Sequence, residues 1–237
     1  MLVDSECNLP PRHWCDSEEI ALECGVLPSC FEYWHDFQTP DPVSISLYYE
    51  SLCPGCRAFI TEQFYPTWKL LHSTGIMAVD MVPYGNAHEA ELPSGDWNYT
   101  CQHGPKECEG NLIENCIMEA TNYNVDIYFP VIFCIENASD PISAAEGCVE
   151  SANLKWKSIH ACSKGDQGNA LMHKAAMKTG ALTPPHKYVP WIVANGVHTD
   201  AIQHSAQSDL LKFVCDMYKG TQPKECQTIL NKSCLRF

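Results

Sequence analysis

Residues 43–60 read VSISLYYESLCPGCRAFI, and the fold turns on what happens at their midpoint. The first seven residues are β-branched and aromatic with a period of two, the pattern of a buried strand, and the run stops at Glu50-Ser51. From Cys56 onward, Phe59, Ile60, Phe64, Trp68 and Leu71 recur at spacings of three and four, so one helix face is apolar for about four turns. Pro66 falls inside that helix and is expected to kink it, because it has no N–H to give the preceding turn. Cys53 and Cys56 therefore stand where a strand gives way to a helix. Three readings compete for them: a structural disulfide, half of a zinc site, and a working redox pair.

Position favours the redox pair. A thiol attacks only as thiolate, and an ordinary thiol with a pKa of about 8.5 is ionised roughly three times in ten thousand at pH 5. At a helix N-terminus, unsatisfied N–H groups and the positive end of the macrodipole stabilise the anion. Cys53 sits at that end, and Pro54 suits the first helical position, where no N–H is needed. Lowering the pKa to about 6 would raise the thiolate fraction at pH 5 to roughly a tenth. Cys56, one turn inside, is shielded and placed to attack a mixed disulfide on Cys53. A zinc site could draw on Cys101, His103, Cys108 and Cys116, but their spacing is that of neither a finger nor a ribbon. No metal and no cofactor are expected.

Working outward, IMAVDMVPYG (76–85) is a second strand, which makes a βαβ unit with parallel pairing. Residues from about 86 to 180 carry six cysteines and helix-period segments such as NLIENCIMEA, where Leu112, Ile113, Cys116, Ile117 and Ala120 share a face. KYVPWIVANGVHTD (187–200) supplies a third strand, PWIVA, and an Asn195-Gly196 hairpin turn. SDLLKFVCDMY (208–218) is a closing amphipathic helix with Ser208 as N-cap. This order is that of an α/β, thioredoxin-like fold with a Cys-rich α-helical insertion. Val189-Pro190 opens the third strand, and an X-Pro bond is the common place for a cis peptide, so the two residues are the candidate cis-Pro loop facing Cys53.

Before this domain (43–237), CNLPPRHWCDSEEIALECGVLPSC (7–30) packs four cysteines among few large apolar residues and needs disulfides to be ordered. Residues 1–35 form this segment, and 36–42, with Pro40 and Pro42, form a linker.

Composition sets the compartment. Lys+Arg 15 against Asp+Glu 29 gives a net charge of −14, which argues against nucleic acid and anionic membrane surfaces as primary partners. Fifteen cysteines fit an oxidising compartment, and the odd number leaves one free or bridged to a second chain as a disulfide-linked dimer. Three sequons, at Asn98, Asn137 and Asn231, agree with the secretory route. No apolar run reaches the roughly 18 residues of a membrane span, and MLVDSECNLP lacks the charged start and apolar core of a signal peptide.

Cys101, Gln102, His103, Gly104, Glu107, Cys108, Asn111 and Cys116 match, at every fixed position, C-Q-H-G-x-x-E-C-x-x-N-x-x-x-x-C, the signature of the gamma-interferon-inducible lysosomal thiol reductase family. VPYGNA, LMH and PPHKYVPWIVANG also look like family segments, so the resemblance covers roughly residues 43–234. It implies a thioredoxin-like fold with a helical insertion, and reduction of disulfides in endocytosed proteins at acid pH, in support of antigen processing. It further implies Cys53 as attacking thiol, Cys56 as resolving thiol and Pro190 in the cis-Pro place. The partners implied are disulfide-containing proteins and a small-thiol reductant. The location implied is the lysosome or late endosome, reached by mannose-6-phosphate on N-glycans, with secretion as a second fate. The resemblance assigns the long signature no catalytic role; in an oxidising compartment Cys101, Cys108 and Cys116 read as disulfide partners and His103 as structural and not a proton carrier. The N-terminal block resembles a saposin A-type segment, read either as a sorting or partner contact or as a cleavable pro-segment. Two alternatives stand beside the reductase: a disulfide oxidase or isomerase of the secretory pathway, and a non-catalytic disulfide-rich binding module.

Overall fold

A computed structural model describes residues 7, 9–36 and 40–226. The chain divides into two compact units, Met1–Asp41 and Pro42–Phe237. In the first, a short 3-10 turn leads to α1 (Glu18–Glu23) and α2 (Leu27–Asp36). Ser17 caps α1 by accepting the Ile20 N–H. Only Ala21 and Cys30 are fully buried apolar side chains among its described residues. The disulfides Cys7–Cys24 and Cys15–Cys30 therefore do the holding that a core would do in a larger unit.

The second unit is built on β1 (Val43–Tyr49), where Ile45, Leu47 and Tyr49 are completely buried. After β1 come α3 (Pro54–Phe59), α4 (Tyr65–Leu71) and β2 (Met77–Pro83), which pairs parallel to β1 with Ile45 opposite Val79. The one long helix expected from Cys56 is interrupted by a π-helical turn at Ile60–Phe64. Pro66 explains it, since the missing N–H leaves the ladder to rearrange at that point. Phe59, Ile60, Phe64, Trp68 and Leu71 are all buried, as their spacing demands. Each such side chain contributes about 1.5–3 kcal/mol of hydrophobic stabilisation.

The insertion does not begin as a helix. β3 (His88–Glu91) and β4 (Trp97–Thr100) form an antiparallel hairpin, which corrects the all-helical reading of residues 86–180. Its turn closes through the Leu92 N–H to Asp96 and the Gly95 N–H to Leu92, and Asn169 bonds both backbone groups of Trp97. Five helices follow: α5 (Pro105–Ala120), α6 (Val125–Asn137), α7 (Pro141–Ser151), α8 (Trp156–Lys164) and α9 (Asp166–Gly180). Cys116–Cys162 ties α5 to α8, and Cys134–Cys148 ties α6 to α7. Helix α5 is buried on nearly every side, polar residues included, whereas Leu112 is only partly buried and Ala120 is exposed.

The chain returns through β5 (Trp191–Ala194), antiparallel to β1, giving the sheet order β2-β1-β5. The Asn195-Gly196 turn is present, with both residues at positive φ, but it closes a single bridge from Ala194 to Val197 and not a full hairpin. Thr199 already caps the next helix, α10 (Asp200–Ser208). The next helix, α11 (Leu210–Met217), is capped by Asp209. Ser208, expected in that role, instead ends α10 and donates its hydroxyl to the His204 carbonyl. Cys215–Cys226 secures this end.

Six disulfides thus use twelve of the fifteen cysteines, Cys53 and Cys56 are free, and Cys234 lies outside the described residues together with Asn231. No helix among the described residues is long and apolar enough to cross a membrane.

Candidate active site

The turn after β1 carries the chemistry, and α5 holds it in place. The Ser51 N–H donates to Asn111 Oδ1 at 3.0 Å, and Ser51 Oγ donates to the Glu107 carbonyl at 3.1 Å. Helix α5 can approach this closely only because residue 110 is glycine, since a Cβ there would lie 2.3 Å from Ser51 Oγ. Gly85 does the same for Glu50: its φ is +61°, and a Cβ would fall 2.4 Å from Glu50 Cγ.

Cys53 is itself the N-cap of α3, with extended φ and ψ, and its sulfur accepts the Cys56 N–H at 3.4 Å. The Val189-Pro190 peptide is cis, and the Val189 carbonyl lies 4.0 Å from Cys53 Sγ. Pro190 packs over Gly55, with its Cδ 3.5 Å from where a Cβ would stand. Hydrogen bonding from the Cys56 side chain holds the Cys53 thiol down at about 6. Burial opposes this, while the N–H groups of Cys56 and Gly55 and the charge of His103 add to it. Cys56 is fully buried, and burial, with its hydrogen bond to Cys53, pushes its thiol far up. One sulfur is poised as an anion and the other is kept as a thiol.

Sequence reasoning missed what surrounds them. Glu50 is completely buried; Oε1 accepts the Asn86 N–H at 2.6 Å, and Oε2 has no hydrogen bond but stands 3.4 Å from His103 Nδ1. Burial raises this carboxyl to about 7. Glu107, also completely buried, accepts the His103 N–H at 3.0 Å on Oε1 and meets His103 Nδ1 at 2.5 Å through Oε2. Burial alone would lower the imidazole, but Glu107, Glu50 and Cys53 outweigh it and leave His103 raised. The donor atoms of Glu50, His103 and Glu107 lie within 4.8 Å of one another, a spacing that would also suit a cation. In this geometry they close on each other, since Nδ1 is engaged by Glu107.

A second acidic group lies deeper. Tyr49 donates to Glu114 Oε2 at 2.5 Å, and the buried Glu136, whose two carboxylate oxygens have no hydrogen-bond partner of good geometry, is close enough for the two acids to influence each other's titration. Burial raises both carboxyls, so the pair retains a proton where an exposed acid would have lost it. Arg57 donates through Nε to the Glu136 carbonyl at 3.0 Å and through Nη2 to that of Ala138, locking α3 onto α6.

The remaining expected residues fall around this centre. Cys101 is bridged to Cys108 and Cys116 to Cys162, so the thiols that a zinc site would have used are consumed. Gln102 accepts from the Asn86 side chain at 2.7 Å, and Gly104 precedes α5 with φ +88°. Asn98 and Asn137 are exposed. The signature reads as a disulfide frame in one dimension. In three, it delivers His103 and Glu107 to the redox pair.

Residues 44–152 match the model of the gamma-interferon-inducible lysosomal thiol reductase (GILT) family. The chain is 47% identical to the gamma-interferon-inducible lysosomal thiol reductase of Carassius auratus, over 98% of this chain and 88% of that protein. Its identity to the Mus musculus protein of the same name is 39%, over 90% and 83% respectively. Among solved structures, the reduced form of the disulfide bond oxidoreductase DsbG from Mycobacterium tuberculosis superposes with a TM-score of 0.51 at 13% identity, covering 81% of this chain and 85% of that one. That likeness bears on the fold, which is thioredoxin-like. With its relatives so similar across nearly the whole length, the chain belongs to the gamma-interferon-inducible lysosomal thiol reductase family and is a thiol–disulfide oxidoreductase.

Proposed function

We propose that the protein reduces disulfide bonds of endocytosed proteins at acid pH, with Cys53 as attacking and Cys56 as resolving thiol. The observation that carries this reading is a free Cys53 sulfur at a helix N-terminus, accepting the Cys56 N–H and facing the Val189 carbonyl. The Cys53 thiolate attacks one sulfur of a substrate disulfide; the Cys53–substrate bond forms, the substrate S–S bond breaks, and the leaving thiolate takes a proton from solvent. Cys56 then loses its proton and attacks Cys53 Sγ, which expels the second substrate sulfur as a thiol and leaves Cys53–Cys56 oxidised. Two electrons have passed to the substrate, and a small-thiol reductant restores the dithiol. The cis Val189-Pro190 loop offers the backbone along which an extended substrate chain lies. We assign the protein to the lysosome or late endosome, with glycans on Asn98, Asn137 and Asn231 as the delivery signal, and a role in antigen processing. Residues 1–35 we take as a saposin A-type-like module, removable as a pro-segment, joined by residues 36–42 to the reductase domain.

A pH profile of protein-disulfide reduction tests the reading. Turnover should persist near pH 5 and vanish in Cys53→Ser. Undiminished turnover in that variant would refute the assignment, and native thiols at Cys53 and Cys56 that no alkylating agent reaches would make the protein a binding module.

A further inference from the structure

The family signature contributes more to the active site than a disulfide. We propose that His103 is a positioning residue for the Cys53 thiolate: clamped by Glu107 and Glu50, its imidazolium is a fixed positive charge that adds to the thiolate's stabilisation and enlarges its fraction in an acid compartment. The inference rests on Cys53 being the attacking thiol.

The geometry builds the clamp from three separate elements. Glu107, in the first turn of α5, grips His103 twice, through the backbone N–H at 3.0 Å and through Nδ1 at 2.5 Å. Glu50, from the turn after β1, brings a buried oxygen with no hydrogen bond of its own to 3.4 Å from the same nitrogen. The Glu50 carbonyl in turn accepts the Cys53 N–H at 3.3 Å, so the clamp and the sulfur are joined through one residue. A buried carboxylate oxygen without a hydrogen bond is costly, and a protonated imidazole beside it answers that cost. The Cys101–Cys108 bridge spans His103 and Gly104, which fixes the loop that presents the ring.

The groups facing His103 are Glu50, Glu107 and Cys53. Those facing Cys53 are His103, Cys56, Glu50 and, from α6, Glu136. Their titrations act together. The raised Glu50 carboxyl takes up its proton as pH falls through about 7, which removes a negative charge that opposes the thiolate. The imidazole, raised by Glu107, Glu50 and Cys53, gains and keeps its proton in the same direction as pH falls. Acidification therefore makes the surroundings of Cys53 more positive as bulk proton concentration rises, partly offsetting the loss of thiolate. An ordinary thiol has no such compensation.

Two measurements on the full chain test this. Imidazole resonances of His103 are titrated by NMR in the reduced wild type and in Cys53→Ser. Because coupling between two charged sites is reciprocal, removing the thiolate should lower the His103 midpoint by roughly half to one pH unit. The converse experiment follows alkylation of Cys53 by iodoacetamide against pH in His103→Ala. Its midpoint should rise, and the alkylation rate at pH 5 should fall about three- to tenfold, with His103→Lys restoring part of it. Coincident His103 midpoints in wild type and Cys53→Ser would overturn the proposal. That first arm leaves the clamp untouched, so it decides the question even where His103→Ala does not fold. Disulfide turnover surviving in Cys53→Ser would instead overturn the assignment of the attacking thiol, a different result from unmoved midpoints in a dead variant.

Discussion

Two cysteine pairs border the same cluster, and they are buried alike. Cys53 and Cys101 are each 8% exposed, yet Cys101 is bridged to Cys108 and Cys53 is free. What separates them is the place of the sulfur relative to a helix start. Cys53 occupies the cap of α3, so its sulfur receives the first N–H groups. At α5 that place belongs to Gly104, with Cys101 in the preceding loop and Cys108 in the first turn. The cap position makes a nucleophile; the positions either side of a cap make a staple.

The sharpest way to break this contrast is to exchange the losses. Cys53→Ser should reduce turnover by roughly 10³-fold or more, as removal of a nucleophile does. The double variant Cys101→Ser, Cys108→Ser should keep turnover within about tenfold when both are assayed with the same protein substrate, and lose about 2–3 kcal/mol of stability in denaturant titrations. Equal losses of turnover would erase the distinction. Cys56→Ser sharpens it from the other side. Lacking the resolving thiol, that variant should accumulate one substrate per chain as a mixed disulfide on Cys53, visible by mass spectrometry without reductant. A variant that released its product as wild type does would place the resolving thiol elsewhere.

Much of this contrast is legible in the sequence because it is local. A strand pattern, a stop at Glu50-Ser51 and Pro54 at the first helical position lie within a dozen or so residues, and period and propensity act at that range. The Asn195-Gly196 turn was equally visible, but the length of the hairpin beyond it depends on Thr199, which is claimed by α10. The clamp was not legible. Glu50 and His103 belong to different elements, and they meet only because Gly85 and Gly110 admit close approach. Glu107 and Glu114 sit on α5, which is packed by α7, α8, α9 and β2, and their burial follows from those distant elements and not from the local pattern. The β3–β4 hairpin was hidden by the helical segments that follow it.

The smaller effects concern stability and pH. Glu50 and Glu114, each raised to about 7, bind protons in the native state that the unfolded chain has already released. Between roughly pH 4, the ordinary glutamate value, and pH 7 the folded protein should thus lose stability as pH rises. His103, also raised, contributes stability below its unfolded value that is lost as pH passes its folded one, which is the same direction. Cys53, lowered to about 6, acts oppositely between there and the ordinary thiol value of roughly 8.5. The apparent Tm should fall by about 3–6 °C between pH 5 and pH 7. Glu136→Gln should flatten that slope by removing one acid of the buried pair, and Cys53→Ser should steepen its upper end. A Tm that rose over this range would show that the buried acids are ionised in the native state.

The most direct test of the central claim is the rate of Cys53 alkylation in the reduced protein, followed by mass spectrometry from pH 4 to pH 9. A midpoint near 6, with Cys56 unreactive throughout, is the result predicted by the Cys56 side-chain hydrogen bond together with the N–H groups of the helix cap. A midpoint at or above the ordinary thiol value of about 8.5 would contradict it, for Cys53 would then be no more of a nucleophile than any buried cysteine.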